Sequence, residues 1–482
     1  MLFNSFEFVI FFCIVFFIYY KSYNNLKFQN ILLLVSSYIF YGWWDWKFLT
    51  LIVISSLSDY IIGKAIDESD NKKKRKQLLI LSLTINLGIL GFFKYYNFFS
   101  QSFSDFVALF GFETNPFLLN IVLPVGISFY TFQTMSYTID IYKGKMKSNK
   151  NLLEFMTFVS FFPQLVAGPI ERASHLLPQF SKKRTFNLYE FKEGAKQGLW
   201  GLFKKIVIAD NCAFYANQIF ENSDSYPGSV LVIGVILFAF QIYGDFSGYS
   251  DIAIGISRMM GIDLMQNFKS PYLSENIQDF WRRWHISLST WFRDYVYIPL
   301  GGSKVDSSFR RSLNIIITFT VSGFWHGANW TFIIWGALHS LFYFIQTSYS
   351  RNMATVKILP EKFVKFFSIL ITFIAVTFAW IFFRADSFSH AISYISEIIS
   401  SSILTNPMSY IKTMGSTVKP FIIVIGLIYL SLFEIFNRDS NYSFQVGHFR
   451  APVRTVLYSS LILLIIFFRA TGGAIDFIYF QF

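Results

Sequence analysis

Two histidines in strongly apolar surroundings are the residues of this sequence best suited to chemistry. His326 lies in segment 321–330, within a predicted hydrophobic helix, and His285 lies in segment 279–295, which is rich in Trp and Arg. An imidazole gains and loses a proton near neutral pH, so it can take the proton of a hydroxyl that attacks an acyl carbonyl. The alternative is structural: His326 would be hydrogen-bonded between helices, and His285 would extend its polar tip to the membrane surface.

The residues around His326 indicate a close approach of some other group. Gly323 and Gly327 have no side chains and leave room for either a substrate or another helix. Asn329 follows His326 by three residues, so on a continuous helix the two side chains would share one face. We therefore expect Asn329 to orient the imidazole and to belong to the site.

Segment 279–295 has the periodicity of one amphipathic helix lying at the inner surface of the membrane. At about 100° per residue its apolar side chains fall on one face and its polar side chains on the other. The apolar face holds Phe280, Trp284, Leu288, Trp291 and Tyr295, and the polar face holds Arg282, Ser289 and Arg293. His285 falls at the edge of the apolar face.

Segment 241–251 places Asp245 and Asp251 beside a glycine-rich turn in an apolar stretch. Acidic residues at membrane depth are costly and usually face a cavity or a partner. Two interpretations stay open: the carboxylates hold a broken helix together, or they take part directly in function. Gly244 and Gly248 form a Gly-x-x-x-Gly pair, which is a weak signal for helix packing.

The composition of the chain indicates a membrane protein. Of 482 residues, 54% are hydrophobic and 15% are charged, whereas soluble domains carry about 25% charged residues. The net charge of +12 comes largely from short basic clusters such as Lys72–Lys76 and Lys143–Lys150. Such clusters orient a membrane protein, and we expect no nucleic-acid partner. The two cysteines predict no disulfide, and the histidine spacing predicts no metal site.

The apolar stretches predict an all-α polytopic membrane protein with about 11 to 13 transmembrane helices. Segment 152–168 is interrupted by Pro163 and is expected to be re-entrant. The loop Ser100–Asn115 holds Asp105 and Glu113 but no Lys or Arg, so it is expected on the outer face. The alternation of basic and acidic loops predicts an N-terminus outside and a retained first span.

We expect a single membrane domain covering residues 1–482. Its predicted parts are N-terminal transmembrane helices over 1–120, a catalytic core over 121–347 and C-terminal transmembrane helices over 348–482. No internal repeat, long linker or appended soluble domain is apparent in the sequence.

Two long segments, 280–302 and 323–339, closely resemble the signatures of the membrane-bound O-acyltransferase family. Segments 124–133, 162–170 and 380–385 resemble further family motifs, and the likeness is strongest to members that acetylate bacterial polysaccharides such as alginate. The resemblance implies a ring of helices around a thin central region, with a funnel from outside and a tunnel from the cytoplasm. The chain would then lie in the bacterial cytoplasmic (inner) membrane.

The same resemblance implies the chemistry. His326 matches the catalytic histidine of the family, which acts as base toward the acceptor hydroxyl, and His285 matches a second histidine nearer the cytoplasmic side. The implied donor is a cytoplasmic thioester, most simply acetyl-CoA, with no tightly bound cofactor. The implied partners are the lipid bilayer, a polysaccharide acceptor and a periplasmic acetyltransferase of the SGNH type.

Residues near these two histidines are predicted to contact substrate: Asn329, Trp325, Trp284, Arg282 and Asp245. Other functions stay open from the residues alone. The chain could transfer D-alanyl or another acyl group to a cell-envelope polymer, could move a glycan as a transporter or flippase, or could be a scaffold subunit.

Overall fold

The computed structural model describes residues 1–112, 114–166, 168–352, 360–415, 418–438, 440, 444–447, 449–469 and 477–478. All regular elements within these ranges are helical. The α-helices are α1 Phe6–Lys21, α2 Leu26–Asp45, α3 Leu49–Asp67, α4 Lys72–Leu90, α5 Tyr96–Ala108, α6 Ile127–Tyr142, α7 Leu152–Ser160, α8 Phe162–Leu165, α9 Ala173–Phe180, α10 Leu188–Phe203, α11 Asp210–Glu221, α12 Gly228–Met259, α13 Ile277–Arg283, α14 Ile286–Phe292, α15 Ser308–His326, α16 Trp330–Asn352, α17 Glu361–Arg384, α18 Phe388–Ile398, α19 Met408–Ile411, α20 Val418–Phe436 and α21 Ala451–Phe467.

Four helical stretches of the described chain are long and apolar enough to cross a membrane: Leu26–Asp67, Lys72–Ala108, Gly228–Met259 and Glu361–Arg384. Two shorter apolar helices lie in α20 and α21. The fold class, an all-α polytopic membrane protein, is therefore confirmed. The ring arrangement and the number of 11 to 13 spans stay predictions.

Segment 152–168 forms two short helices rather than a span. α7 has nine residues, and Phe161 interrupts the helical backbone before α8 begins with Pro163 in its first turn. At 1.5 Å per residue α7 is about 14 Å long, roughly half the thickness of the hydrocarbon core. α7 is therefore too short to span the core by itself, and the re-entrant course of the segment stays a prediction; its residue Ala167 lies outside the described residues.

The contacts of the chain divide it into two compact units. Unit 1 comprises residues 1–195 and 253–265, and unit 2 comprises residues 196–252 and 266–482. These boundaries differ from the segments predicted at residues 120 and 347, which stay a prediction.

Unit 1 contains a buried polar cluster in which α3, α4 and α6 each contribute two side chains one helical turn apart. The Asp59 carboxylate accepts hydrogen bonds from Ser82 Oγ at 2.6 Å and from Asn86 Nδ2 at 2.7 Å. Thr134 and Ser55 donate to the Asn86 carbonyl. Because buried polar groups are costly unless hydrogen-bonded, this cluster fixes the three helices against one another.

The two basic segments that were predicted on one side of the membrane meet in unit 1. The Arg75 guanidinium donates to the carbonyls of Ile141 and Tyr142 at 3.2 and 3.1 Å. Ser148 donates through both its amide and its hydroxyl to Asp67. These contacts place the loop after α3 and the loop after α6 at the same end of the unit, as the charge pattern requires; Glu113 of the opposite loop lies outside the described residues.

Candidate active site

His326 is the last residue of α15, in a helical hairpin that glycines hold close together. Gly323 and Gly327 have no room for a side chain, because a Cβ there would overlap the Phe332 carbonyl oxygen and the Phe332 ring. Gly336 on α16 likewise faces the backbone of Phe319 on α15. Of the two roles predicted for these glycines, the structure shows the close approach of another helix.

The predicted shared face of His326 and Asn329 is wrong, because the helix stops at His326. Gly327 has an extended backbone, and α16 begins only at Trp330. Asn329 therefore lies in the turn, where its Oδ1 accepts from the Thr331 amide at 3.0 Å and its Nδ2 donates to the Asp386 carbonyl at 2.9 Å. These bonds make Asn329 the cap of α16.

His326 is buried in a cage of aromatic rings. The centroids of the Trp325, Trp335 and Phe383 rings lie 5.0, 5.2 and 5.2 Å from that of the imidazole. The His285 ring lies at 6.3 Å, so the two histidines singled out from the sequence share one site. Trp325 contacts both of them, since its ring lies 6.0 Å from His285.

The single amphipathic helix predicted over 279–295 is interrupted at His285. α13 ends at Arg283, Trp284 is extended, and α14 begins at Ile286. His285 itself has φ 42° and ψ 55°, in the left-handed region. A non-glycine residue held there stores about 1–3 kcal/mol of backbone strain, and such residues concentrate at functional sites.

Asn267 holds this break in place. Its carbonyl accepts from the Ile286 amide at 2.9 Å, and its Oδ1 accepts from the Ser287 hydroxyl at 2.9 Å. Its Nδ2 donates to Ser250 Oγ on α12 at 3.1 Å. These bonds to the two residues that follow His285 fix the start of α14, and with it the backbone at His285. Sequence reasoning missed Asn267, because no local pattern links it to α14.

The side chains of the two short helices keep the predicted separation of faces. Phe280, Trp284, Leu288 and Trp291 are buried, while Arg282 and Arg293 are exposed. Trp284 packs against Phe268 and Trp380 at 5.1 Å each. The structure thus places Trp284 in the aromatic packing beside the site and Arg282 on the surface, whereas the neighbouring Arg283 pairs with Asp279. Their assignment to substrate binding stays a prediction.

Asp245 and Asp251 belong to a buried group of opposite charges, here called the ionic cluster. Its members are Lys204, Lys205, Asp210, Asp245 and Asp251. Lys205 Nζ lies 2.9 Å from Asp210 and 2.8 Å from Asp245, and Lys204 pairs with Asp251. The Gln197 amide also donates to Asp251. Sequence reasoning named the two aspartates but missed both lysines.

α12 runs without a break through the glycines that were expected to form a turn. Gly244 and Gly248 instead allow close packing, since a Cβ on them would lie 2.9 Å from the Lys204 carbonyl oxygen and 2.8 Å from that of Gly201. The predicted broken helix is therefore wrong. Close packing of α12 against segment 201–205 is what brings Asp245 and Asp251 to the lysines.

The ionic cluster is connected to His285 through packed side chains. The second oxygen of Asp245 accepts from the Ile478 amide at 2.7 Å. The preceding residue, Phe477, packs on Phe246 at 5.9 Å, and the Phe246 ring packs edge-on against His285 at 4.5 Å. Asp245 therefore helps to position Phe477 and Phe246, which pack against the His285 ring, so its role there is indirect. Substrate binding by Asp245 stays a prediction.

A third histidine, His339 on α16, lies beside the same cage. Its Nδ1 accepts a hydrogen bond from the Trp281 indole N–H at 3.3 Å. Its ring centroid lies 4.8 Å from that of Trp335, which also contacts His326. His285, His326 and His339 are here called the histidine group. In the described part of the chain, no three His, Cys, Asp or Glu side chains form a group that could hold a metal ion.

The arrangement suits acid–base chemistry on an acyl group. Two imidazoles lie side by side in an apolar cage, and water-poor surroundings strengthen the interactions of a developing charge. The site is built from α13 to α17 together with Phe246, Asn267 and Phe268, all of unit 2, and the residues between His285 and Phe383 supply most of it.

Comparison with known proteins identifies a matching family and several relatives of this chain. Residues 38–388 match the model of a family described as MBOAT, membrane-bound O-acyltransferase family. The chain is 42% identical over 390 residues to the probable alginate O-acetylase AlgI of Pseudomonas aeruginosa, covering 80% of this chain and 72% of the relative. It is 38% identical over 404 residues to a peptidoglycan O-acetyltransferase of Helicobacter pylori, covering 78% and 75%. It is also 29% identical over 282 residues to a teichoic acid D-alanyltransferase of Bacillus subtilis, covering 56% and 71%.

Proposed function

The chain belongs to the membrane-bound O-acyltransferase family and is an O-acyltransferase, and from that premise we propose that it passes acetyl groups across the membrane for O-acetylation of an extracytoplasmic polysaccharide. His326 is the base, and acetyl-CoA or a related cytoplasmic thioester is the donor. The observation that carries this proposal is the pairing of two buried imidazoles, His326 and His285, 6.3 Å apart in an aromatic cage.

The role of His326 follows from its surroundings. The hydroxyl of an acceptor is a weak nucleophile until a base removes its proton, and a neutral imidazole is the side chain best suited to that task near neutral pH. The aromatic rings around His326 keep bulk water away, which favours attack by the hydroxyl over hydrolysis of the thioester. His285 stands next to it, 6.3 Å away between ring centroids, on the side where the acyl thioester arrives.

The direction of transfer follows from where the reactants are found. A thioester donor is made in the cytoplasm, whereas the glycan lies outside, so one buried site must be reachable from both sides. The N-terminus would lie outside, in the bacterial inner membrane. The proposed partner is a periplasmic acetyltransferase of the SGNH type, which would take the acetyl group onward to the polymer.

Acetyl transfer to a polysaccharide is favoured over D-alanyl transfer by the extent of the similarity. The relatives named for O-acetylation are 38–42% identical over about four fifths of this chain, whereas the D-alanyltransferase is 29% identical over 56%. A flippase is disfavoured because α12, which carries Asp245 and Asp251, is continuous and these carboxylates are paired with lysines, whereas transport sites use broken helices with open polar groups.

The test is base-labile acetate in the cell-envelope glycans of the source bacterium, compared between cells with and without this chain. Loss of glycan acetate on deletion, and its return with the wild-type chain, is the expected result. Fractionating the glycans then identifies the acceptor. If acetate stays unchanged while ester-linked D-alanine falls, the acetyl proposal is overturned in favour of D-alanyl transfer.

A further inference from the structure

Two buried N–H groups of the aromatic cage, one on Trp335 beside His326 and one on His339 beside Trp335, have no acceptor within the described residues. We propose that Trp335 and His339 use them to bind the carbonyl oxygen of the acyl group during transfer. Both side chains lie on α16 and are essentially inaccessible to solvent. Buried polar atoms are nearly always hydrogen-bonded in folded proteins, so an exception calls for an explanation. A substrate acceptor atom supplies one.

The hydrogen bond from Trp281 settles which nitrogen of His339 carries the proton. An indole N–H can only donate, so His339 Nδ1 must be an unprotonated acceptor. The imidazole is then neutral, and its proton sits on Nε2. This Nε2–H has no hydrogen-bond partner among the described atoms. The bond from Trp281 thereby occupies the basic nitrogen of His339 and leaves its Nε2–H as a hydrogen-bond donor in a fixed position.

Trp335 supplies the second donor and connects His339 with the base. Its Nε1–H also lacks an acceptor in the described part of the chain. Its ring centroid lies 4.8 Å from that of His339 and 5.2 Å from that of His326, and the rings meet edge-on in both pairs. The Trp335 donor therefore stands next to the residue proposed to activate the hydroxyl, and the His339 donor stands directly behind Trp335.

The chemistry of acyl transfer requires donors of this kind. The hydroxyl oxygen attacks the thioester carbonyl carbon, its proton passes to His326, and the carbonyl electron pair moves onto oxygen to give an oxyanion. When the carbonyl forms again, the carbon–sulfur bond breaks, and the leaving sulfur takes the proton from His326. Thioester and alcohol thus give ester and thiol. Donors fixed in advance around the oxyanion lower the barrier, and losing one typically costs about 100-fold or more in kcat.

This inference rests on the proposed function, and its test separates the two. Full-length protein in membranes of permeabilised source cells is supplied with radiolabelled acetyl-CoA, and label in the glycan is measured against donor concentration. Trp335→Phe keeps a ring but removes the N–H, so kcat should fall about 100-fold while KM changes little. His339→Phe should behave likewise, whereas His339→Gln, which restores a donor, should stay within about tenfold of wild type.

Phe342→Leu is the matched control, because its ring also contacts His339 but carries no N–H. If this control loses as much kcat as His339→Phe, the role is packing and the inference is overturned. It is overturned equally if Trp335→Phe and His339→Phe keep full kcat, or if Gln and Phe at position 339 are equivalent. If Trp335→Phe does not reach the membrane, the comparison at position 339 decides alone. Absence of label transfer by the wild-type chain would instead reject the proposed function.

Discussion

The ionic cluster and the histidine group lie next to each other in unit 2, and both bury titratable side chains. In the ionic cluster, Lys205 Nζ lies 2.8–2.9 Å from the carboxylates of Asp210 and Asp245. In the histidine group, the contacts are with aromatic rings, which surround His326 at 5.0–5.2 Å. Buried ion pairs of this kind hold the helices in place, and each charge in them is already bound to its partner. The aromatic rings around His326 carry no formal charge to fix the protonation state of the imidazole, and a neutral imidazole can exchange a proton with a substrate.

From this difference we expect substitutions in the ionic cluster to lower stability and substitutions in the histidine group to lower activity.

Replacing Lys205 by Met should be the most damaging change to the fold. It leaves the carboxylates of Asp210 and Asp245 buried beside an uncharged side chain, and breaking a buried pair in this way typically costs about 3–5 kcal/mol. The measurement is the yield of folded protein in the membrane and its unfolding midpoint in detergent.

Arg282→Met is the matched control for that experiment, since it removes an exposed cation from the same unit. Its free energy of unfolding should stay within about 0.5 kcal/mol of wild type. If Lys205→Met were as stable as Arg282→Met, the ionic cluster would not be the structural support that the comparison requires.

Substitutions at His285 should separate the strain of its backbone from the loss of its imidazole. His285→Asn and His285→Val both remove the ring, but Asn tolerates a positive φ and a β-branched Val does not. The Val variant should therefore be less stable than the Asn variant by about 1–3 kcal/mol. Thermal unfolding of the two proteins gives the difference, and equal stabilities would mean that His285 does not have the left-handed backbone.

Asn329→Ala tests whether a predicted site residue is in fact structural. Because its side chain caps α16, the variant should lose about 1 kcal/mol of stability, with the KM for the thioester unchanged. The measurement pairs an unfolding curve with the dependence of label transfer on donor concentration. A raised KM with unchanged stability would instead show that Asn329 contributes to substrate binding, as the sequence predicted.

The smallest effect concerns a histidine that does have carboxylate partners. In unit 1, His175 lies 3.4 Å from Asp263 and 2.8 Å from Glu171, and hydrogen bonds to these two carboxylates raise its pKa to about 10. The folded state therefore holds this proton more tightly than the unfolded state. The stabilisation is complete below pH 6.5 and is lost as the pH rises toward 10.

His175→Gln should remove this pH dependence. The difference in unfolding temperature between wild type and variant should be largest near pH 6 and should shrink by pH 10, with a modest size because the side chain is partly exposed. A difference that is constant across this range would show that the ion pairs do not form.

The sequence was informative about local features and uninformative about distant partners. The apolar surroundings of His326 and His285 identified both residues, and they do lie together. The buried face of segment 279–295 was also predictable, because Phe280, Trp284, Leu288 and Trp291 keep a helical spacing. The break at His285 was not, since a single left-handed residue hardly disturbs that spacing.

The remaining features depend on pairs that lie far apart in the chain. Lys204 and Lys205 stand in a stretch for which no local pattern indicates an ionic site. The packing of Gly201 against Gly248 brings them to Asp245 and Asp251. The tautomer of His339 depends on Trp281, 58 residues away. No periodicity or local motif carries such information.

The central claim is that His326 removes the proton from the acceptor hydroxyl, and transfer of labelled acetyl from acetyl-CoA to glycan tests it most directly. The comparison uses wild type, His326→Ala and His326→Gln at matched membrane levels and matched unfolding temperature. If His326 is the base, both variants should stay folded and lose at least about 100-fold in transfer rate. Transfer by either folded variant at close to the wild-type rate would contradict it.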